Sequence, residues 1–270
     1  MPIKRRIFQA LLTYAQANRE NLLIKKLDAY ARDYHNAYEN LNYNSMKNGE
    51  FFLVDRLYRL GNLECVFDVG ANIGSYSKLV RSICNTCRII AFEPVPSTFR
   101  ELEENLKPFN VETLNCALGN FTGKAEIQVV PNLSELASLV EDMQAGGGRE
   151  SKKIEIKVMK GTNFVHDKGI ERISLLKVDT EGYDSEVLKG FEDTIKRADV
   201  VQFEYGKANL FSRYFLHDYF RHFGSDFYLG KLYPNGVSFF DKYHWDMDDL
   251  IGPNYVMVNN ERPDIKSFLE

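Results

Sequence analysis

The sequence predicts an α/β fold: a mostly parallel sheet with helices on both faces. Three observations carry this. From residue 65 onward, apolar runs that read as buried strands alternate with helix-like segments, which is the pattern of a parallel sheet with crossover helices. The first run, Val66-Phe67-Asp68-Val69, breaks into the glycine-punctuated turn Gly70-Ala71-Asn72-Ile73-Gly74 and continues as Ser75-Tyr76-Ser77-Lys78-Leu79-Val80, a strand, loop and helix in succession. Four strand-like runs end in acids, Asp68, Glu93, Asp179 and Glu204, as expected where ligands bind beyond the carboxyl ends of the strands.

Taken in order, residues 1–60 read as an N-terminal helical extension, with Ile7, Leu11, Leu12, Tyr14 and Ala15 and then Leu22, Leu23, Leu27, Tyr30 and Ala31 at helical spacing. The opening helix is amphipathic and is expected to pack on its own domain; contact with a membrane surface or a partner is the alternative. Residues 61–270 form the second unit. Its strands are expected at 65–69, 88–92, 111–117, 173–179 and 200–204, with helices starting near Pro96 and Ser185. Segments 125–130 and 154–158 alternate apolar and polar residues and read as an antiparallel pair added to the sheet's edge or rim. Between them, Gln144–Glu150 is flexible by composition, either a lid or a solvated connection. A helix near 208–222 and short strands near 226–232, 237–240 and 255–259 follow. The stripe Phe211, Tyr214, Phe215, Tyr219, Phe220 and Phe223 reads as helix core.

Composition excludes several classes. The chain has 270 residues, 44% of them hydrophobic, and a net charge of −4, which opposes a nucleic-acid binder with its basic footprint. No apolar run approaches the roughly 18 residues of a membrane span. Cys84 and Cys87 form C-x-x-C, but no second pair follows at zinc-ribbon spacing; Cys65 and Cys116 sit in apolar runs. The cysteines therefore read as buried small hydrophobes of a protein in a reducing cytoplasm. The five histidines have no ligand spacing; His217 and His222 are reserve candidates for a general base.

The glycine loop narrows the ligand. A dinucleotide fingerprint needs glycine where this chain has Asn72, because the pyrophosphate requires close backbone approach. D-x-G-x-N-x-G suits a ligand without phosphate and with a charged amino-acid end, such as S-adenosylmethionine. Asp68 can accept from its ammonium, and the loop amides at Gly70, Asn72, Gly74 and Ser75 can face its carboxylate. Glu93, at the tip of the second strand, is placed to hold ribose hydroxyls. Asn115 and Ala117 lie where adenine is expected. Asp179, Glu181 and Glu204 are the candidates for the reacting end. One of them can act as general base toward an acceptor hydroxyl. Two carboxylates can alternatively hold Mg²⁺, a reading not favoured here. Glu181 as a helix cap and Glu204 as a partner of Lys177 or Arg213 are the purely structural alternatives.

The segments VFDVGANIGSYS (66–77), IIAFEPVPSTFREL (89–102), NCALGNFTGKAEI (115–127), LLKVDTEGYDSEVLKGFE (175–192) and VVQFEYG (200–206) together resemble the FkbM-type S-adenosylmethionine-dependent methyltransferases. The resemblance covers roughly residues 65–206. It implies a Rossmann-like class I methyltransferase fold and O-methylation of a hydroxyl on a small molecule or a glycan, with a sugar favoured. A natural-product hydroxyl as acceptor, a dehydrogenase-like nucleotide enzyme and a nucleotide-binding protein without turnover are the alternatives. Tyr183-Asp184 departs from the small residue and Glu usual in the family, which bears on acceptor shape. Association into an oligomer is compatible with the chain.

Overall fold

A computed structural model describes residues 3–130, 133–139 and 152–270. In chain order the helices are α1 (Ile3–Ala17), α2 (Leu22–Tyr38), α3 (Glu50–Arg59), α4 (Ser75–Ile83), α5 (Pro96–Leu106), α6 (Gly161–Asp167), α7 (Asp184–Lys189), α8 (Asn209–Ser212), α9 (Leu216–Phe223) and α10 (Pro263–Leu269). The strands are β1 (Cys65–Val69), β2 (Arg88–Phe92), β3 (Glu112–Leu114), β4 (Ala117–Gly119), β5 (Gly123–Val130), β6 (Leu133–Ser138), β7 (Lys152–Lys160), β8 (Ile173–Val178), β9 (Ala198–Glu204), β10 (Phe227–Tyr233), β11 (Gly236–Phe239) and β12 (Asn254–Asn259).

Eight strands form one sheet in the order β11-β10-β12-β9-β8-β1-β2-β3. The five from β3 to β9 are parallel, and β12 enters antiparallel between β9 and β10. The order reverses at β1, which lies between β2 and β8. This is the switch point at which doubly wound sheets open a crevice. The fold is a Rossmann-like α/β sheet with helices on both faces, as the alternation of segments predicts. Val66 and Asp68 of β1 face the layer that holds α3 and α4, while Phe67 and Val69 face the opposite layer. There Phe67, Phe92 and Phe164 meet at ring separations of 5.0–5.7 Å. Burying each such ring contributes about 1.5–3 kcal/mol.

Several expectations are corrected. The stretch 111–117 is two strands: β3 closes the large sheet, and β4 starts another. Asn115 causes the break, because its side-chain amide donates to the Glu93 and Pro94 carbonyls and pulls the chain out of the ladder. Segments 125–130 and 154–158 do pair antiparallel, but in a separate sheet, β4-β7-β5-β6, with β4 parallel to β7. Gln144–Glu150 lies outside the described residues. The helix expected near 208–222 is two short ones, α8 and α9, parted at Arg213, whose φ of 53° lies in the left-handed region. Tyr214, Tyr219 and Phe223 of the aromatic stripe are buried, whereas Phe211 stays exposed.

The chain divides into two compact units, residues 1–41 and 42–270. Residues 42–60, read from sequence as part of the extension, belong to the second unit. The reason is α3, whose Leu53, Val54 and Leu57 are fully buried against Val66, Tyr76 and Val80. In the first unit, Ile7, Phe8 and Leu11 of α1 and Leu22, Leu23 and Leu27 of α2 are exposed. No helix among the described residues is long and apolar enough to cross a membrane.

Candidate active site

The glycine loop follows β1 and is folded back on β2. The Gly70 and Ala71 amides both donate to the Phe92 carbonyl, at 3.0 and 2.9 Å, and Gly74 N donates to Ala71 O at 2.8 Å. Gly70 is required twice over. Its φ is 82°, and a Cβ there would stand 1.8 Å from the Asp179 carbonyl oxygen. Asn72 also takes a left-handed φ, 48°, which asparagine tolerates better than most residues. Its amide donates to Glu93 Oε2 at 3.0 Å, and Val95 N donates to Glu93 Oε1 at 2.8 Å. Glu93 thus ties the loop to the tip of β2. Burial outweighs those two bonds and pushes its carboxyl up to about 7.

Beside this loop lies a cleft, partly open to solvent. One wall is Gly70, Asn72, Glu93 and Pro94. The opposite wall is apolar, with Ala117, Leu118, Ile127 and Leu139. The second sheet therefore supplies a side of the cleft. Asp179, Thr180, Glu181 and Tyr183 close the end.

That end is acidic. Val178 and Phe203 are in register on parallel strands, so Asp179 and Glu204 leave adjacent strand ends together. Lys177 Nζ pairs with Asp179 Oδ2 at 2.9 Å. Asp184 Oδ1 accepts from Glu204 N at 3.3 Å, and its Oδ2 accepts from Thr180 Oγ1 at 3.1 Å. Burial, then the charges of Asp179, Glu181 and Asp184, push the Glu204 carboxyl well above the usual carboxylate range. Asp184, fully enclosed, is pushed up to about 7 by burial and by Asp179. Glu181 has a φ of 52°, a left-handed conformation that costs on the order of 1 kcal/mol in a residue with a side chain. Among the described residues, no group of three or more His, Cys, Asp or Glu side chains is disposed to hold a metal ion.

The structure gathers Gly70, Asn72, Glu93, Ala117, Asp179 and Glu181 at the cleft and sets others apart. Asp68, assigned from sequence to a ligand ammonium, is completely buried beneath the loop; Ser77 Oγ donates to its Oδ2 at 2.7 Å, and Lys177 Nζ stands 3.8 Å from Oδ1. The amides of Gly70, Asn72 and Gly74 are taken by Phe92, Glu93 and Ala71, so they do not face a ligand carboxylate. Ser75 opens α4 and is exposed. Asn115 donates its side-chain amide to the carbonyls of Glu93 and Pro94. His222 Nδ1 is 2.5 Å from the Tyr214 hydroxyl, His217 packs edge-on to Tyr243 at 5.0 Å, and neither lines the cleft. All four cysteines are free thiols.

Sequence reasoning missed the apolar wall and the structural acid. Leu118, Ile127 and Leu139 carry no chemical signature, and only the packing of the second sheet brings them to the cleft. Asp184 had a signal, since Tyr183-Asp184 stood out in the motif. Gln202 was also hidden, and Lys177, read from sequence as a possible partner of Glu204, pairs with Asp179; the two are in register with each other, and Lys177 with Asp68, making one buried polar row across β1, β8 and β9.

Comparison with known proteins gives the family. The model of the methyltransferase FkbM domain matches residues 68–227. Methyltransferase sdnD of Sordaria araneosa is 30% identical over 170 residues, 52% of this chain and 66% of that protein. Hexuronic acid methyltransferase AglP of Haloferax volcanii is 30% identical over 141 residues, 51% of this chain and 54% of that protein. The chain thus spans less than two thirds of the length of either relative. Among solved structures, methyltransferase FkbM from Methylobacillus flagellatus aligns over 73% of this chain and 44% of that one, at 15% identity and a TM-score of 0.47. With more than half of its residues matched, this chain belongs to the FkbM methyltransferase family.

Proposed function

We propose that this chain is an S-adenosylmethionine-dependent O-methyltransferase whose acceptor is a sugar hydroxyl. One observation carries the reading: a single cleft joins a buried Glu93, an apolar wall and the carboxylates of Asp179 and Glu181, and Glu204, outside its lining, ends the strand next to Asp179. The donor set fits an adenosyl ligand. Glu93 offers a carboxylate to ribose hydroxyls. Ala117, Leu118, Ile127 and Leu139 offer an apolar slot for a planar base. The bound cofactor supplies an activated methyl group on a positively charged sulfur.

The residues at the far end then divide the work. Glu204 accepts the proton of the acceptor hydroxyl as that oxygen attacks. Its raised proton affinity makes it a stronger base than an ordinary carboxylate, and positive charge entering the cleft favours its ionised form. Asp179, held by Lys177, keeps negative charge beside Glu204 and sustains that affinity. Glu181 presents a further acceptor for sugar hydroxyls. Positioning and exclusion of water supply much of the rate. The kinship with a hexuronic acid methyltransferase supports a sugar acceptor.

Calorimetric titration with S-adenosylmethionine, S-adenosylhomocysteine and NAD tests the cofactor; the first two bind and NAD does not. Labelled methyl donor with a panel of glycans and hydroxylated natural products tests the acceptor. Label appearing only on natural products would replace the sugar reading by the second one.

A further inference from the structure

Lys177 is a buried cation set between two carboxylates of unequal access. Its Nζ is 2.9 Å from Asp179 Oδ2 and 3.8 Å from Asp68 Oδ1. Asp179 borders the cleft with 31% of its side chain exposed, and its amide donates to Val69 O at 3.0 Å, next to the glycine loop. Asp68 is completely enclosed. Its Oδ2 accepts from Ser77 Oγ, but its Oδ1 accepts no hydrogen bond among the described residues. Burial pushes its carboxyl upward, and Lys177 and then Ser77 oppose that push, so a closer lysine favours its ionised form. The lysine ammonium lies over the Tyr76 ring, 4.9 Å from its centre. That ring is fixed in turn: the Tyr76 hydroxyl donates to Gln202 Oε1 at 3.1 Å, and Gln202 Nε2 donates to Glu50 Oε1 at 2.8 Å and to Asn254 Oδ1 at 3.0 Å. Over this fixed floor the flexible stem of a lysine can shift between its two carboxylates.

We infer that Lys177 is a positioning residue for the cofactor: it yields Asp179 to the ammonium of the cofactor's amino-acid end and crosses to Asp68. The inference rests on the S-adenosylmethionine reading of the preceding section. Asp68, the carboxylate that the sequence offers to that ammonium, is sealed beneath the loop. Asp179 instead borders the glycine loop and the cleft together: a Cβ at Gly70 would stand 1.8 Å from its carbonyl oxygen. An ammonium brought to Asp179 while Lys177 stays at 2.9 Å meets a like charge a few ångströms away. The unbonded Oδ1 of Asp68 relieves this. One buried ion pair is exchanged for another, and an acceptor that has no donor gains one. Asp179 stays ionised in both arrangements, as its place beside Glu204 requires. Asp68 thus serves the ammonium at one remove, through the lysine.

The test is calorimetry on the full chain with two ligands: S-adenosylhomocysteine, which carries the amino-acid end, and methylthioadenosine, which lacks it. Asp68→Asn is expected to weaken S-adenosylhomocysteine about tenfold and to leave methylthioadenosine unchanged, because Lys177 then stays on Asp179. Adding Lys177→Met to Asp68→Asn removes the competing cation, so affinity for S-adenosylhomocysteine returns to the wild-type value or above it. Asp179→Asn weakens S-adenosylhomocysteine about tenfold or more, again without effect on methylthioadenosine. Where Asp68→Asn alone does not fold, the double variant, with both buried charges gone, and Asp179→Asn decide. An unchanged S-adenosylhomocysteine affinity in Asp68→Asn overturns the crossing. Equal losses of both ligands in Asp68→Asn, or a double variant that binds S-adenosylhomocysteine more weakly than the wild type, overturn it too, since a loosened loop gives both. Full affinity in Asp179→Asn moves the ammonium to another carboxylate and overturns the proposal. A wild type that binds neither ligand removes the cofactor reading and this inference with it.

Discussion

Glu93 and Glu204 end their strands in the same way and are both pushed upward by burial, yet their partners give them different work. Glu93 is bonded by two backbone amides and faces the cleft. A ligand that donates hydroxyl hydrogens to it favours the carboxylate, so affinity should rise as pH passes upward through about 7. Neutral S-adenosylhomocysteine isolates this effect. Glu93→Gln should weaken its binding by about 1.5–3 kcal/mol above pH 8 and flatten the pH dependence. Calorimetry at pH 6 and pH 8.5 checks both, and a pH-dependent variant would remove Glu93 from the ribose. Glu204 has carboxylate neighbours instead. Glu204→Gln is expected to lower kcat by about 10²–10⁴ with cofactor affinity little changed, the signature of a lost base. If Asp179→Asn shows that loss and Glu204→Gln does not, the two roles are exchanged.

At the scale of an element, α7 starts on Asp184, whose side chain is enclosed between Thr180 and the backbone of Glu204. Its carboxyl titrates near 7 in the folded chain against an ordinary value of 3.8. Between those values the folded state holds a proton that the unfolded state has released, so this group's contribution to stability falls as pH rises from about 4 to 7. The Asn side chain can accept from Glu204 N and donate to Thr180. Asp184→Asn should therefore stabilise the protein by on the order of 2 kcal/mol at pH 8 and change little at pH 4.5. Urea unfolding at the two pH values reads the difference, and equal effects at both would show that Asp184 is not the buried acid. Tyr183, which caps the start of α7, sets its ring against Gly119 of β4 in the second sheet.

For the whole molecule, the compact unit of residues 42–270 contains every residue of the cleft. A chain of residues 42–270 is expected to unfold cooperatively and to bind S-adenosylhomocysteine as the full chain does. A chain of residues 61–270 should fail to fold. It lacks α3, and each of Leu53, Val54 and Leu57 leaves a void in the core. At about 2–5 kcal/mol for each large buried side chain, the loss consumes a domain's net stability of about 5–15 kcal/mol. Circular dichroism and calorimetry of the two truncations decide this; a folded 61–270 chain would put the boundary where the sequence suggested.

The sequence by itself determined the parallel sheet, the glycine loop, the acids at the strand tips and the family, because each is a local pattern: an apolar run, a turn and the residue that follows. The helix spacing of α4 and α5 was legible for the same reason. Tertiary structure decided what those residues are free to do. Asp68 reads as a ligand contact until Ser77 and Lys177 enclose it, and Asn115 also fastens the chain through the Glu93 and Pro94 carbonyls, which accept from its amide. Leu118, Ile127 and Leu139 become a wall only when β4, β5 and β7 form a separate sheet. Glu204 acquires its proton affinity from burial and then from carboxylates on neighbouring segments. Hydrogen-bond capacity, desolvation and charge coupling depend on which groups meet across strands, and that is settled by register and packing, not by spacing along the chain.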